Sequence, residues 1–392
     1  MALLTINTGS SSLKAAVYRP QADERREVSL LAERIGHEDA RLRITDATGK
    51  TLLDAKRDLP DHAAALAAFT AWLREERPAL DVTAIGHRIV HGGERHREPE
   101  RITAALLDDL RALVPIDPDH LPQALAAIEA VGRDYPDVPQ VACFDTAFHR
   151  RMPPVARRYA LPREYERAGL LRYGFHGLSY EYIMATLHAE DVAAARGRIV
   201  IAHLGSGASM VAVREGVGRE TTMGFSPTGG LVMGTRVGDL DPTVLLYLLT
   251  ERGLSAEAVA ELVNKRGGLL GVSGTSGDMR ELLDRAWSDP RAAEAVELFC
   301  YTVKKWVGAL VATLGGLDTL VFTGGIGERA APVRAAICDG LGFLGIALDV
   351  ERNAAHAPHI SVAGGTVAVR VLPTDEDLMI ARHTARLVTQ GG

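Results

Sequence analysis

Apolar runs of strand length, separated by short turns of small residues, open the chain. Leu3–Thr8 and Leu13–Tyr18 flank Gly9-Ser-Ser-Ser12 and read as strand, turn, strand. Val28–Glu33 and Leu42–Asp46 continue as strands, His62–Glu76 has helical spacing, and Val82–Val90 and Val138–Phe144 read as buried strands. The second half repeats the theme with Arg198–Leu204 and Ser209–Arg214 around a glycine turn, then the strand Thr319–Thr323. Ala292–Leu314 and Glu376–Thr389 carry helical periodicity. Strands first and alternating helices and strands afterwards predict α/β units with mixed sheets.

The two hairpins align with each other. Asn7-Thr-Gly-Ser-Ser-Ser-Leu-Lys-Ala-Ala-Val17 matches His203-Leu-Gly-Ser-Gly-Ala-Ser-Met-Val-Ala-Val213 at Gly9/Gly205, Ser10/Ser206, Ala16/Ala212 and Val17/Val213. The offset, 203 − 7 = 196 residues, is half of the 392-residue chain, which predicts a duplication. Two such domains facing each other would form a ligand cleft. The pattern breaks near Phe148–Pro154, at His149-Arg-Arg-Met-Pro-Pro154, and the domain boundary is expected there.

Composition narrows the function. Charged residues make up 24%, hydrophobic residues 47%, and the net charge is −6, which gives no support for a nucleic-acid or membrane surface. An acidic protein that binds a polyanion must concentrate positive charge locally, so single arginines become the candidates. No apolar run reaches about 18 residues, and no basic segment followed by an apolar one opens the chain; neither a membrane span nor a signal peptide is expected. Cys143, Cys300 and Cys338 lie far apart without metal-ligand spacing, which fits a reduced, cytoplasmic protein.

Glycine turns between strands expose backbone N–H groups to phosphate oxygens. Here there are three: Gly9–Ser12, Gly205–Ser209 and Phe322-Thr-Gly-Gly-Ile-Gly-Glu-Arg329. None matches a P-loop, and each alone is usually only a turn. Three in a duplicated α/β chain, one beside Lys14, point to a nucleotide.

Longer motifs make the reading specific. Leu4-Thr-Ile-Asn-Thr-Gly-Ser-Ser-Ser-Leu-Lys14 and His203-Leu-Gly-Ser-Gly-Ala-Ser209 resemble the two signatures of acetate kinases. Further matches follow in family order: Gly86-His-Arg-Ile-Val-His-Gly-Gly-Glu94, Phe144-Asp-Thr-Ala-Phe-His149 and Arg172-Tyr-Gly-Phe-His-Gly177. Gly230-Leu-Val-Met-Gly-Thr-Arg236, Gly238-Asp-Leu-Asp-Pro242, Gly274-Thr-Ser-Gly-Asp-Met-Arg280 and Pro373-Thr-Asp-Glu-Asp-Leu-Met-Ile-Ala-Arg382 extend the match to almost the whole length.

The resemblance implies two duplicated ribonuclease-H-like domains of the actin and sugar-kinase type, with ATP or ADP between them. Residues 1–150 and a terminal helix of about 376–392 would form the first, and residues 151–375 the second, which would bind nucleotide and dimerise. It implies direct in-line transfer of the ATP γ-phosphoryl group to acetate, giving acetyl phosphate and ADP. Propionate or butyrate is the alternative acceptor. Nucleotide contacts are carried over to Lys14, His203, Leu204, Gly205, Ser206, Gly207, Asp278, Met279, Arg280, Gly324, Gly325, Ile326, Gly327 and Glu328. Mg2+, or Mn2+, is assigned to Asn7 and Glu376, and a homodimer is expected.

Chemistry agrees with these roles. Phosphoryl transfer needs alignment and cations around the moving group. A guanidinium suits a carboxylate substrate, and similarity gives Arg88 that role, with Val90, Phe175 and Pro227 around the methyl group and Ile116 aligned less securely. Arg236 is assigned transition-state charge, and His176 a hydrogen bond to the phosphoryl group. An isolated arginine in an apolar stretch is more often snorkelling or ion-paired, an isolated histidine more often structural. His87, His91, His120 and His149 are read as structural. Asp145 is carried over as catalytic, yet acetate is already ionised at neutral pH, so orienting an arginine or a metal-bound water is the expected task. Glu376 also fits a plain helix N-terminal carboxylate.

Several positions depart from the family pattern: Ser206, Leu178-Ser-Tyr180, Thr228-Gly229, Arg329 and Asp375. In Ile116-Asp-Pro-Asp-His-Leu-Pro122 the counterpart of a family histidine is either Asp117 or His120. A sugar kinase, needing an Asp base, and a nucleotide-driven regulatory protein are the competing classes.

Overall fold

The computed structural model describes residues 2–9, 11–19 and 24–389. Ser10 of the repeat and residues 390–392 of the expected terminal helix lie outside them. The chain divides into two compact units: Met1–Ala147 with Gly177–Tyr182 and Asp375–Gly392, and Phe148–His176 with Ile183–Thr374.

The first unit carries β1 (Ala2–Thr8), β2 (Ser12–Arg19), β3 (Arg25–Glu33), β4 (Arg41–Asp46), β5 (Thr51–Lys56), β6 (Val82–Ile89), β7 (Glu100–Arg101) and β8 (Gln140–Phe144). Among the described residues they form one sheet in the order β5-β4-β3-β2-β1-β6-β8-β7. The second carries β9 (Arg198–Leu204), β10 (Ala208–Arg214), β11 (Val217–Thr221), β12 (Thr319–Thr323) and β13 (Ala368–Val371), in the order β11-β10-β9-β12-β13. In both, three consecutive strands (β1–β3 and β9–β11) are antiparallel neighbours, and two later ones (β6 and β8, β12 and β13) extend the sheet in parallel from the first. This shared pattern is the structural form of the 196-residue repeat: two ribonuclease-H-like sheets in one chain.

Burial explains the composition of β1. All seven of its residues are buried, as a central strand covered on both faces requires. Leu4 and Ile6 join Phe69 of the helix His62–Glu76 in one core, while Leu3 joins Ala381 of the terminal helix Glu376–Thr389 in another. Strand parity then puts Asn7 on the face of Leu3, the side of that helix. Gly86 on β6 lets the helix approach, since a Cβ there would lie 2.5 Å from Ile380 Cγ2.

In the second unit β9 and β12 are likewise almost wholly buried, and the helix Pro290–Leu314 packs along the sheet. It begins two residues before the expected start because Asp289 caps it and Pro290 occupies its first turn. β8 begins at Gln140 rather than Val138, since Pro139 has no N–H for the ladder. Cys143, Cys300 and Cys338 are free and buried, and burial raises the Cys338 thiol to about 12. No described helix is long and apolar enough to cross a membrane.

Candidate active site

Four elements of the first unit bring together Asn7, Arg88, Asp145 and Glu376. Asn7 lies at the end of β1, Arg88 near the end of β6, Asp145 just past β8, and Glu376 starts the terminal helix. Parallel pairing sets Ile6 beside His87 and Ile89 beside Phe144, so the strand ends coincide. Asp145 receives two hydrogen bonds from Arg88, Nε–Oδ1 at 3.0 Å and Nη2–Oδ2 at 2.6 Å. Arg88 Nη1 donates to Asn7 Oδ1 at 3.0 Å and lies 3.8 Å from Glu376 Oε2. Asn7 Nδ2 in turn donates to Glu376 Oε2 at 3.3 Å.

Burial opposes the charge on Arg88, but Asp145 and Glu376 outweigh it and raise its pKa above the ordinary arginine value. Of the five guanidinium N–H groups, these hydrogen bonds use one on each nitrogen. One on each terminal nitrogen remains, a geometry suited to a second carboxylate.

Asp375 accepts from Leu378 N at 2.9 Å and from Tyr18 Oη at 3.3 Å, fixing the helix start. Burial pushes the Asp377 carboxyl up to about 6; Lys14 lowers it, while Asp375 and Glu376 raise it further. Lys14 pairs with Asn7 across the hairpin and is exposed. Val90 is buried beyond β6. His87, fully buried and bonded to Gln140, has its pKa lowered to about 4 by burial. His120 bonds to Asp117, so both candidates for the ambiguous position form one pair.

In the second unit, His176 has a left-handed backbone (φ 59°) before the helix Gly177–Glu190. Its Nδ1 lies 2.8 Å from Ser209 Oγ, and its ring stacks on His203 with centroids 4.3 Å apart. Arg236 Nη1 donates to the Pro227 carbonyl at 2.8 Å. A Cβ on Gly207 would stand 3.5 Å from His176 Nε2 and 3.6 Å from Arg236 Nη2. Imidazole, guanidinium and glycine turn therefore converge on one point. Phe175 is buried, and Pro227 is partly exposed.

Beside this turn lies a cavity of about 490 Å³. Its walls include Gly205, Ser206, Asp278, Met279, Arg280, Gly325 and Ile326 from the expected set. Lys14, His203, Leu204, Gly207, Gly324, Gly327 and Glu328 of that set do not line it. Leu204 is buried in β9, and Gly324 has φ +77°, with its Cβ position 2.8 Å from the Leu204 carbonyl. The Glu328 carboxylate turns inward, accepting from Gly324 N at 3.0 Å and Thr374 N at 3.3 Å. Asp278 caps its own helix at Arg280 N and Glu281 N. Gly234, Thr235, Gly277, Leu283, Arg329, Ala330 and Pro332 also line the cavity and were not expected. For most of them the signal was adjacency: Gly234-Thr235 immediately precedes Arg236, Gly277 precedes Asp278, and Arg329 closes the third glycine motif; Leu283 had none.

Repeated sheets, each with a glycine hairpin at the same place, define a protein of the duplicated actin-like class. Within it, the chain belongs to the acetokinase family, whose model matches residues 2–382. An acetate kinase of Rhizobium meliloti is 47% identical over 395 residues, covering 99% of this chain and 98% of that protein. One from Rhodopseudomonas palustris is 45% identical over 397 residues, 99% of each. Among solved structures, Porphyromonas gingivalis acetate kinase has a TM-score of 0.88 at 36% identity, with 99% of each chain covered. A propionate kinase from Francisella tularensis has a TM-score of 0.92 at 34% identity, covering 98% of this chain and 99% of that one.

Proposed function

We infer that this enzyme is a carboxylate kinase that reversibly transfers the γ-phosphoryl group of ATP to acetate. The observation that carries the reading is Arg88, held by Asp145 and Asn7 with an N–H left on each terminal nitrogen. That edge binds the acetate carboxylate, with Val90, Phe175 and Pro227 around the methyl group. An acetate oxygen attacks the γ-phosphorus, the bond to the β,γ-bridging oxygen breaks, and ADP leaves. Asp145 orients Arg88 and takes no proton, since the acceptor is already an anion. His176 donates through Nε2 to a phosphoryl oxygen, its Nδ1 engaged with Ser209. Arg236 balances the charge of the transferring group. Lys14 meets the phosphate chain, and the cavity beside Gly205 holds the adenosine end.

Among the described residues no group of three or more His, Cys, Asp or Glu side chains is arranged for a metal. Magnesium suits the site nevertheless: it keeps several waters and needs only one or two hard oxygen donors, which the Asn7 amide oxygen and the Glu376 carboxylate would supply. When bound, it neutralises phosphate charge. A cytoplasmic location and a homodimer complete the reading. The helix Pro242–Thr250 supports the dimer, for it has no buried residue and leaves Leu246 59% and Tyr247 52% exposed. A 42 kDa particle in light scattering would contradict it.

Trapping with hydroxylamine tests the activity. Acetate, ATP and magnesium should yield acetyl hydroxamate and an equal amount of ADP. ADP release with hexoses alone, or without any acceptor, would overturn it. Propionate or butyrate is the second reading, and a propionate kinase from Francisella tularensis is among the similar structures. One methylene changes selectivity by only about 1–3 kcal/mol, so the same assay should include both.

A further inference from the structure

Arg334 is fully buried, on the helix Ala331–Cys338 directly after the cavity wall. Its guanidinium makes five hydrogen bonds, all to neutral acceptors. Nε donates to Asn353 Oδ1 at 2.8 Å, and Nη1 to the carbonyls of Gly327 and Glu328 at 2.8 and 2.9 Å. Nη2 donates to the Asn353 carbonyl at 2.8 Å and to His356 Nδ1 at 3.0 Å. His356 therefore carries its ring proton on Nε2. Asn353 Nδ2 adds a bond to the Ala331 carbonyl at 3.0 Å. Burial pulls the pKa of Arg334 down.

A buried arginine without a carboxylate is costly to desolvate, so its position needs another explanation. The segment that it ties, Gly327–Glu328, and Ala331, which Asn353 Nδ2 holds, abut residues of the cavity wall: Gly325, Ile326, Ala330 and Pro332. Glu328 pins the same stretch from its other end through Gly324 N and Thr374 N.

We propose that Arg334, with Asn353 and His356, is a positioning brace that sets the affinity of this cavity for a nucleoside di- or triphosphate. The inference rests on the nucleotide reading of the cavity. A planar fork is required, because one lysine ammonium has three donors and cannot span five acceptors.

The test is calorimetric binding of ADP to the full-length enzyme, with melting curves and acetate kinetics on the same samples. Hydrogen bonds of a charged group are strong enough that Arg334→Lys should weaken ADP binding at least about tenfold. The KM for acetate and the kcat at saturating ATP should stay within about twofold of the parent. Asn353→Ala removes one acceptor and should weaken ADP binding by about threefold; it decides the matter if Arg334→Lys does not fold. A lower melting temperature with unchanged ADP affinity would overturn the brace and leave a purely structural arginine. Arg280→Ala separates the two failures. If it weakens ADP binding and the brace variants do not, only the brace is wrong. If ADP binding ignores all three, the nucleotide reading of the cavity falls.

Discussion

In the first unit the site consists of polar and charged side chains that grip one another: Asn7, Arg88 and Asp145 at the ends of β1, β6 and β8, and Glu376 at the start of the terminal helix. In the second, the corresponding hairpin supplies glycine backbone: His176 and Arg236 close in on Gly207, and the cavity opens beside Gly205 and Ser206. The order of the five shared strands is the same, so the sheet fixes only where a site can be built. The difference suits the two ligands. On the proposed function, one oriented guanidinium would hold a small carboxylate, whereas a nucleotide would need backbone contacts and room.

The comparison breaks most sharply at the transferring group. Arg236→Ala should lower kcat by roughly 10³–10⁵-fold, and His176→Ala by about 10²–10³-fold. Each should keep a near-normal KM for ATP, measured by steady-state kinetics. Melting temperatures that fall while kcat holds would make both residues braces of the turn.

Next comes Arg88→Ala. Most turnover should disappear, ADP affinity measured by calorimetry should change little, and the loss of Asp145's bidentate partner should cost up to about 3–5 kcal/mol of stability. Equal loss of ADP binding would remove Arg88 from the acceptor side.

The smallest effects contrast two glycines. Gly86→Ala pushes a Cβ into Ile380 and should destabilise the fold by about 1–3 kcal/mol. At Gly308, inside the helix Pro290–Leu314, a Cβ would meet nothing within 4 Å, so Gly308→Ala should raise stability by up to about 1 kcal/mol. Chemical denaturation of the two variants checks the signs.

Much of the frame was legible because it is local. The helix His62–Glu76, the strand Thr319–Thr323 and both hairpins follow from periodicity and turn residues within a few positions. That Asp145 would orient an arginine was legible, but not that the arginine is Arg88 or that Glu376 joins them: the two carboxylates lie 57 and 288 residues further on, brought there by strand register and by the packing of the terminal helix. The motif Gly324–Glu328 located the cavity wall, but not that Glu328 turns inward. That depends on Thr374, which reaches it from another part of the chain. Arg334 carried no sequence signal, because an arginine in a helix looks like a surface residue until its neighbours are known.

The three buried thiols give the protein internal reporters. Cys143 belongs to β8 of the first unit, and Cys300 and Cys338 to helices of the second. An alkylating reagent reaches such sulfurs only when the surrounding structure opens, so modification rates measure local opening free energies. Mass-resolved alkylation of the unmodified enzyme thus reads the loosening of each half separately, with no label introduced.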